Sequence, residues 1–341
     1  MQSLPIFSIL FLLRENPETS FQFVSLPPRK MYSIVLPSGG FFTVGRFFLA
    51  QMAATSFTTR AKALLLLPMI LWLIVFLLLP YFFIFIQSFL ASDAFGNVVY
   101  QFNTDSYVKI FTNKLYYATL LKTLVMSCLV AVLCVIISLP LCYFIAFKVR
   151  NASSKTMLYT LIVLPFWVSY IVRAYAWKII LGQFGILNGF LMYADIIHEP
   201  LSFILYSDFA TIICLVYIFT PFVAIPIYTA LEQIPKSLVE ASKDLGAGSL
   251  TTFLKVIIPL ALPGIISGAT FALVLTMGDF LGPILLGGPN TLFISNIVQN
   301  LFGTSNDKPL GSALGIVILA LIVLLLEVST FFEKKYSSFT S

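Results

Sequence analysis

The sequence predicts an all-α integral membrane protein with six transmembrane helices, and three observations carry that prediction. The first is composition. Of 341 residues, 59% are hydrophobic and only 10% charged, with a mean hydropathy of +0.99, whereas soluble domains carry about 25% charge. The second is length: six mostly apolar runs reach the roughly 20 residues that a helix needs to cross a bilayer. The third is where the charge sits. The formal net charge of +6 comes from basic residues at the ends of these runs rather than from one patch, a pattern of membrane orientation that excludes a nucleic-acid binder.

In order, the runs are Lys62–Gln87, Thr119–Phe147, Thr156–Lys178, Phe203–Leu231, Leu260–Leu286 and Gly311–Phe332. Pro68, Pro80, Pro140, Pro165, Pro221, Pro226 and Pro263 lie inside them. Membrane helices tolerate proline because neighbouring helices satisfy the carbonyls it frees, and each is an expected kink. With the residues before Arg60 set aside, the basic side chains sort into two sets. One holds Arg60, Lys62, Lys148, Arg150, Lys155, Lys236, Lys243, Lys255, Lys334 and Lys335; the other holds Lys109, Lys114, Lys122, Arg173, Lys178 and Lys308. The richer set marks the cytoplasmic side, so both termini are expected there. The external connections Ala91–Tyr116, Gly189–Pro200 and Gly287–Pro309 are too short to fold as domains, so a soluble capture protein would be a separate chain.

Residues 1–59 read as a poorly structured N-terminal extension, ahead of a transmembrane domain over 60–336 with its core at about 119–332. Pro5–Leu13 is apolar but too short to span. It lacks a preceding positive charge and a small-residue cleavage site, and so makes a poor signal peptide. Met31 and Met52 are alternative starts. The preferred reading of 1–51 is a dispensable or mis-called extension; the competing one is a segment lying on the membrane surface.

Several chemistries are excluded. Cys128, Cys134, Cys142 and Cys214 lie inside apolar runs without any C-x-x-C, and read as small buried hydrophobes. The single histidine, His198, argues against a His-based metal site. No G-x-x-x-x-G-K-[ST] occurs, so the chain has no P-loop of its own. One histidine and two acids well within the spans, Asp279 and Glu327, do not make the convergent set that catalysis needs. Neither an enzyme nor a resident metal or cofactor is expected, and Glu327, near a helix end, can snorkel.

The polar stretch 235–259, set between apolar runs, has its own logic. Pro235 suits a first helical turn, where a missing N–H costs nothing. Lys236–Leu245 then forms a short helix. Glu240 and Lys243 share a face, while Leu238, Ala241 and Leu245 make a narrow apolar stripe. Gly246 stands where a helix needs a left-handed terminating residue. Ser249 or Thr251 is the expected cap of a second helix running through Phe253 and Ile257. Helix, sharp turn and helix make a lever that can lodge in a groove on another protein.

Glu240-Ala241-Ser242, then Gly246-Ala247, with Phe253, Ile257, Pro259 and Pro263 in register, resemble the EAA motif of binding-protein-dependent ABC importer permeases. The third residue, commonly Ala, is here Ser242. Val172-Arg173-Ala174-Tyr175-Ala176-Trp177, Leu181-Gly182 and Gly185-Ile186-Leu187-Asn188 are similar to polyamine (spermidine/putrescine) permeases. So are Met277-Gly278-Asp279-Phe280, Pro283, Leu285-Leu286-Gly287-Gly288-Pro289 and Asn296. The resemblance implies the type I ABC importer permease (MetI-like) fold, with six transmembrane helices and a cytoplasmic coupling helix. It assigns Glu240, Ala241, Ser242, Asp244, Gly246 and Ala247 to coupling with an ATPase. It further implies an ABC ATPase dimer that binds the ATP, a second related permease, an extracytoplasmic solute-binding protein, and a place in a bacterial inner membrane. The implied cargo is a polyamine. Iron(III), thiamine and phosphonate are cargoes of similar permeases. A different class, the ion-coupled secondary transporter, predicts an internal repeat that the sequence does not show.

Asp279 follows Pro263 by about 16 residues, roughly 24 Å along a helix, in the outer half of the fifth run. An ionisable group at membrane depth faces a cavity or a partner. Two readings stand: a carboxylate attracting a cationic cargo beside Trp177 and Tyr175 through cation–π contacts, or an ion pair with Arg173. Arg173 itself reads as structural or gating, held by Asp279 or by helix-end carbonyls. Trp167 and Tyr170 read as an interfacial belt. Gly264 with Gly268, and Gly278, Gly311 and Gly315, read as points of close helix approach.

Overall fold

The structure, a computed structural model, describes residues 23–26, 31–35, 41–43, 67–93, 98–289 and 291–337. It divides into two units, Met1–Pro80 and Tyr81–Ser341. In the first, β1 (Phe23–Leu26), β2 (Met31–Val35) and β3 (Phe41–Thr43) form an antiparallel sheet in that order, Phe23 opposite Ile34 and Ser33 opposite Thr43. The rest of the reading made for residues 1–59 lies outside the described residues.

The first span is α1 (Leu67–Gln87), apolar all round, as a lipid-facing or buried helix must be. The second unit then continues with a hairpin, β4 (Leu90–Ser92) and β5 (Val98–Phe102), and a short helix, α2 (Asp105–Thr112). Next come α3 (Lys114–Lys148) and α4 (Ala152–Trp167), α5 (Tyr170–Leu181), α6 (Ile186–Tyr193), α7 (Asp208–Glu232) and α8 (Lys236–Asp244). The last elements are α9 (Ser249–Gly278), α10 (Leu281–Leu286), α11 (Ile294–Phe302) and α12 (Lys308–Ser337). Side chains cap several of these helices: Asn113 accepts from Leu115 N, Asn151 from Ser153 N, Ser207 from Ala210 N and Asp307 from Leu310 N, each satisfying an N–H without an intrahelical partner.

The core is the bundle of α3, α7 and α9, with α12 laid against α9. Small polar side chains stitch α3 to α7. Cys134 Sγ donates to Val216 O at 3.6 Å, Ser138 Oγ to Thr220 O at 3.3 Å and Cys142 Sγ to Ala224 O at 3.4 Å. Both series advance by four, so the two helices run in the same direction. Such small residues let backbones approach, which is how helices associate where lipid offers no hydrophobic drive. Gly264 and Gly268 do the same for α9 on α7. A Cβ at Gly264 would lie 2.4 Å from Ala230 Cβ and 2.6 Å from Pro226 O, and one at Gly268 2.9 Å from Val223 O. At the end of α3 remote from α8, a second apolar cluster of Ile110, Ile294, Leu301, Leu310 and Leu314 ties α2, α11 and α12 together.

Several expectations are corrected. The third run is not one straight span: α4 and the segment Tyr170–Tyr193 are bent by 93°. Pro165 sits in a tight last turn, and Val168 and Ser169 are extended, which breaks the hydrogen-bond ladder. The fifth run is likewise split, because Asp279 leaves helical geometry (φ −77°, ψ 128°) between α9 and α10. The connections Gly189–Pro200 and Gly287–Pro309, expected to be too short for a domain, contain part of α6 and all of α11, which leaves that expectation in place. Of the four cysteines, Cys128 is exposed rather than buried. Gly278 and Gly315 have no neighbour within 4 Å of a Cβ position, so neither marks a close approach.

Candidate functional site

Two places gather the singled-out residues: the helix α8 with its turn, and the break between α9 and α10. Helix α8 begins after Pro235 and ends in a Schellman arrangement. Gly246 N donates to Lys243 O at 2.8 Å, Ala247 N donates to Ser242 O at 3.1 Å, and Gly246 has φ 82°. Only glycine enters that conformation without steric cost. The expected cap at Ser249 or Thr251 is corrected: α9 starts at Ser249 from the backbone of Gly248, with no side-chain cap. From there the helix continues without a break into the fifth span.

The faces of α8 are divided. Val239 packs on the main core, and Ser242 Oγ meets Thr252 Oγ1 at 3.0 Å, tying α8 to the base of α9. Ser242 thus does more than fill the place of an alanine. Leu238 is 44% and Leu245 89% exposed, so the predicted apolar stripe points away from its own chain. Ala241 and Asp244 are exposed as well. Glu240, with Lys236 and Lys243, lines a cleft against the end of α3.

At the second place, Asp279 is fully engaged. Its Oδ1 accepts from Tyr170 Oη at 2.7 Å and its Oδ2 from Gly282 N at 2.9 Å. Its backbone oxygen accepts from Ser295 Oγ. Asn296, 2% exposed, locks the same corner: Nδ2 donates to Phe280 O at 2.8 Å, and Oδ1 accepts from Phe293 N at 2.9 Å. Replacing Asn296 with leucine keeps the branched shape but strands a buried N–H and a partly buried carbonyl, the buried donor alone costing about 1–3 kcal/mol. Thermal unfolding of the purified protein in detergent is expected to show that loss.

The ion pair between Asp279 and Arg173 is not among the ion pairs of the described residues, which join Lys122 to Asp208 and Lys155 to Glu232. Arg173 is 8% exposed, donates weakly to Ile218 O at 3.5 Å, and leaves its Nε without a partner. Tyr170, read as an interfacial aromatic, instead serves Asp279. A bond between residues 109 positions apart leaves no local signal in a sequence. Trp177 packs edge-on to Tyr217, ring centroids 5.6 Å apart, along an apolar groove that also includes Pro165 and Thr220. Tyr175 is exposed, with Lys178 Nζ 5.9 Å from its ring centre. The four residues expected along a path therefore do not converge. Arg173 and Trp177 share one face of α5, Tyr175 points elsewhere, and Asp279 meets α5 through Tyr170. Among the described residues, no group of three or more His, Cys, Asp or Glu side chains gathers.

Comparison with known proteins follows the same lines. Residues 138–338 match the family described as binding-protein-dependent transport system inner membrane component. The chain is 37% identical over 257 residues to the spermidine/putrescine transport system permease protein PotB of Escherichia coli (strain K12), covering 75% of this chain and 92% of that one. It is 30% identical over 228 residues to a putative 2-aminoethylphosphonate transport system permease protein, PhnU, of Salmonella typhimurium, covering 65% of this chain and 78% of that one. In fold it is similar to a chain in the crystal structure of a bacterial alginate ABC transporter in complex with an alginate pentasaccharide-bound periplasmic protein. That likeness has a TM-score of 0.65 at 17% identity, over 86% of this chain and 96% of that one.

Proposed function

Since this chain belongs to the family of binding-protein-dependent transport system inner membrane components, we propose that it carries polyamines such as spermidine and putrescine through an ABC importer. Membership makes it a multi-pass inner-membrane permease subunit, without a catalytic centre of its own. One observation carries the mechanistic reading: α8 is a short helix whose exposed Leu238 and Leu245 face away from the chain, locked through the Gly246 turn to a helix that runs into the bilayer.

In this reading the face bearing α8 is cytoplasmic, as are both termini. An ABC ATPase dimer grips α8 of this subunit and of a second, related permease. Glu240, Ala241, Ser242, Asp244, Gly246 and Ala247 form the grip and its turn. Closure of the ATPases on ATP moves α8, and because α9 is continuous with the turn, the stroke reaches the break at Asp279. An extracytoplasmic solute-binding protein delivers cargo to the opposite face. The polyamine assignment is supported by the relatedness to a spermidine/putrescine permease along most of that protein, and by an acid at the outer break of α9. Asp279 favours a cationic cargo, with Tyr175 and Trp177 set apart from it, and buried Arg173 holds α5 against α7. The phosphonate reading has a relative of its own, and the two cargoes differ in charge.

Uptake of radiolabelled spermidine, putrescine and 2-aminoethylphosphonate in cells with and without the gene tests the cargo. Polyamine uptake is expected to disappear with the gene; unchanged polyamine uptake with lost phosphonate uptake would reverse the assignment. Asp279→Asn is expected to slow polyamine uptake by about fivefold or more. A single charge at 4 Å contributes about 1 kcal/mol even in water-like surroundings. Unchanged polyamine uptake in that variant would remove Asp279 from the path.

A further inference from the structure

Between α8 and the end of α3 lies a cleft of about 280 Å³ whose described lining shares Glu240, and no other coupling residue, with the ATPase grip. Four cations line it: Lys148 and Arg150 from the end of α3 and its following turn, and Lys236 and Lys243 from α8. Glu240 is its single carboxylate. None of the four cations enters an ion pair with a described carboxylate, and all four are exposed. Tyr143, Phe147, Val149 and Val239 add an apolar part to its lining, with Tyr143 tilted against Phe147 at 5.4 Å and edge-on to Phe253, outside the lining, at 5.0 Å. The uncharged, mostly apolar run of α3 over 123–147 ends at Lys148, which is where a span is expected to reach the polar headgroups.

From this we infer that the cleft binds the phosphodiester headgroup of an anionic phospholipid, which bridges α8 to α3. A concentrated positive charge at the mouth of an apolar wall, at headgroup depth, fits a molecule that is anionic at one end and hydrocarbon at the other. Basic pockets between spans on the cytoplasmic side recognise such headgroups. A soluble phosphate would satisfy the cations but leave the wall of Tyr143 and Phe147 unused. A protein partner has the separate, outward stripe of Leu238 and Leu245 to dock on. Because Lys236 and Lys243 ride on the lever while Lys148 and Arg150 belong to a span, a bound headgroup sets how freely α8 moves. The placement of this face in the cytoplasm rests on the reading proposed above; the cleft and its charge do not.

The test uses the assembled transporter, co-expressed with its ATPase and second permease and placed in nanodiscs of phosphatidylcholine with or without phosphatidylglycerol. Lipid retained by the complex is read by native mass spectrometry. The wild type is expected to retain phosphatidylglycerol, with inorganic phosphate failing to displace it. Lys148→Gln with Arg150→Gln is expected to weaken retention about thirtyfold, roughly fivefold for each cation removed. The charge-preserving pair Lys148→Arg with Arg150→Lys is expected to keep it, which separates lost charge from lost folding. Equal retention in wild type and the glutamine pair overturns the inference, and displacement by inorganic phosphate makes the site one for free anions. Loss of the ATPase from the glutamine-pair complex would make the cleft a protein-docking site instead. Failure of the coupling reading appears elsewhere, as wild-type uptake in Asp244→Ala, whose side chain does not line the cleft, with lipid retention unaltered.

Discussion

Replacing Glu240 with alanine is expected to abolish cargo uptake while leaving the permease folded and in the membrane. The side chain of Glu240 is exposed on α8 and enters no hydrogen bond or ion pair among the described residues, so its removal breaks no direct bond and costs the fold only the weak attraction of nearby cations. Alanine is also the better helix former. What is lost is the charged group offered to a partner. A hydrogen bond to a charged group contributes about 1.5–3 kcal/mol, equivalent to roughly tenfold to a hundredfold in association or coupling. Three readings in the same cells decide the matter: uptake rate, the amount of permease in membranes, and the amount of ATPase that co-purifies. The proposal requires the first to collapse with the second intact. Wild-type uptake in Glu240→Ala would mean that α8 is not the element through which ATP drives transport.

Substituting Gly264 with alanine tests the packing of the bundle through the sign of its effect. Helix propensity alone makes Gly→Ala stabilising, by about 1 kcal/mol in a helix interior. Here the new Cβ would meet Ala230 Cβ at 2.4 Å and the Pro226 carbonyl at 2.6 Å. Neither neighbour is the tip of a flexible side chain, so α9 must move off α7. Overpacking of this kind costs about 1–3 kcal/mol or more, and it is expected to win. Thermal unfolding in detergent should fall for Gly264→Ala. For Gly315→Ala, where a Cβ meets nothing within 4 Å, it should hold or rise. Adding Ala230→Gly removes one of the two collisions and leaves the backbone one, so rescue is expected to be partial. A stabilised Gly264→Ala would show that α7 and α9 lie further apart than the structure has them.

Much of this molecule is written locally. A run of apolar residues long enough to span has few conformations open to it, because every backbone group must find a partner inside the segment. That is why the spans at α3, α7 and α12 fall where composition places them. The turn at Gly246 is equally local: a polar helix, a glycine and a second helix predict a left-handed terminator, and φ 82° is what stands there. The family resemblance rested on the same contiguous stretch, and residues 138–338 include it.

Other features depend on distant partners and have no local signature. Pro165 announces a kink, but the size of the bend, 93°, depends on how the segments on either side pack. Asp279 draws attention as an acid in an apolar run. That it sits at a helix break, held by Tyr170 and Gly282 N rather than by Arg173, follows from which turn of α5 lies level with it, since Tyr170 and Arg173 share a face. Ser242 looks like a neutral replacement for alanine until Thr252, ten residues on, comes within 3.0 Å. The cleft of Lys148, Arg150, Lys236 and Lys243 draws on two segments some ninety positions apart that only folding sets side by side. Hydropathy, turn chemistry and charge placement act over a few residues, and they determined the class, the unbroken spans and the short helix and turn at Gly246. Convergence of side chains on a point requires the bundle to close, so only the tertiary structure decided which acid meets which hydroxyl and where four cations line one cleft without an ion pair among the described residues.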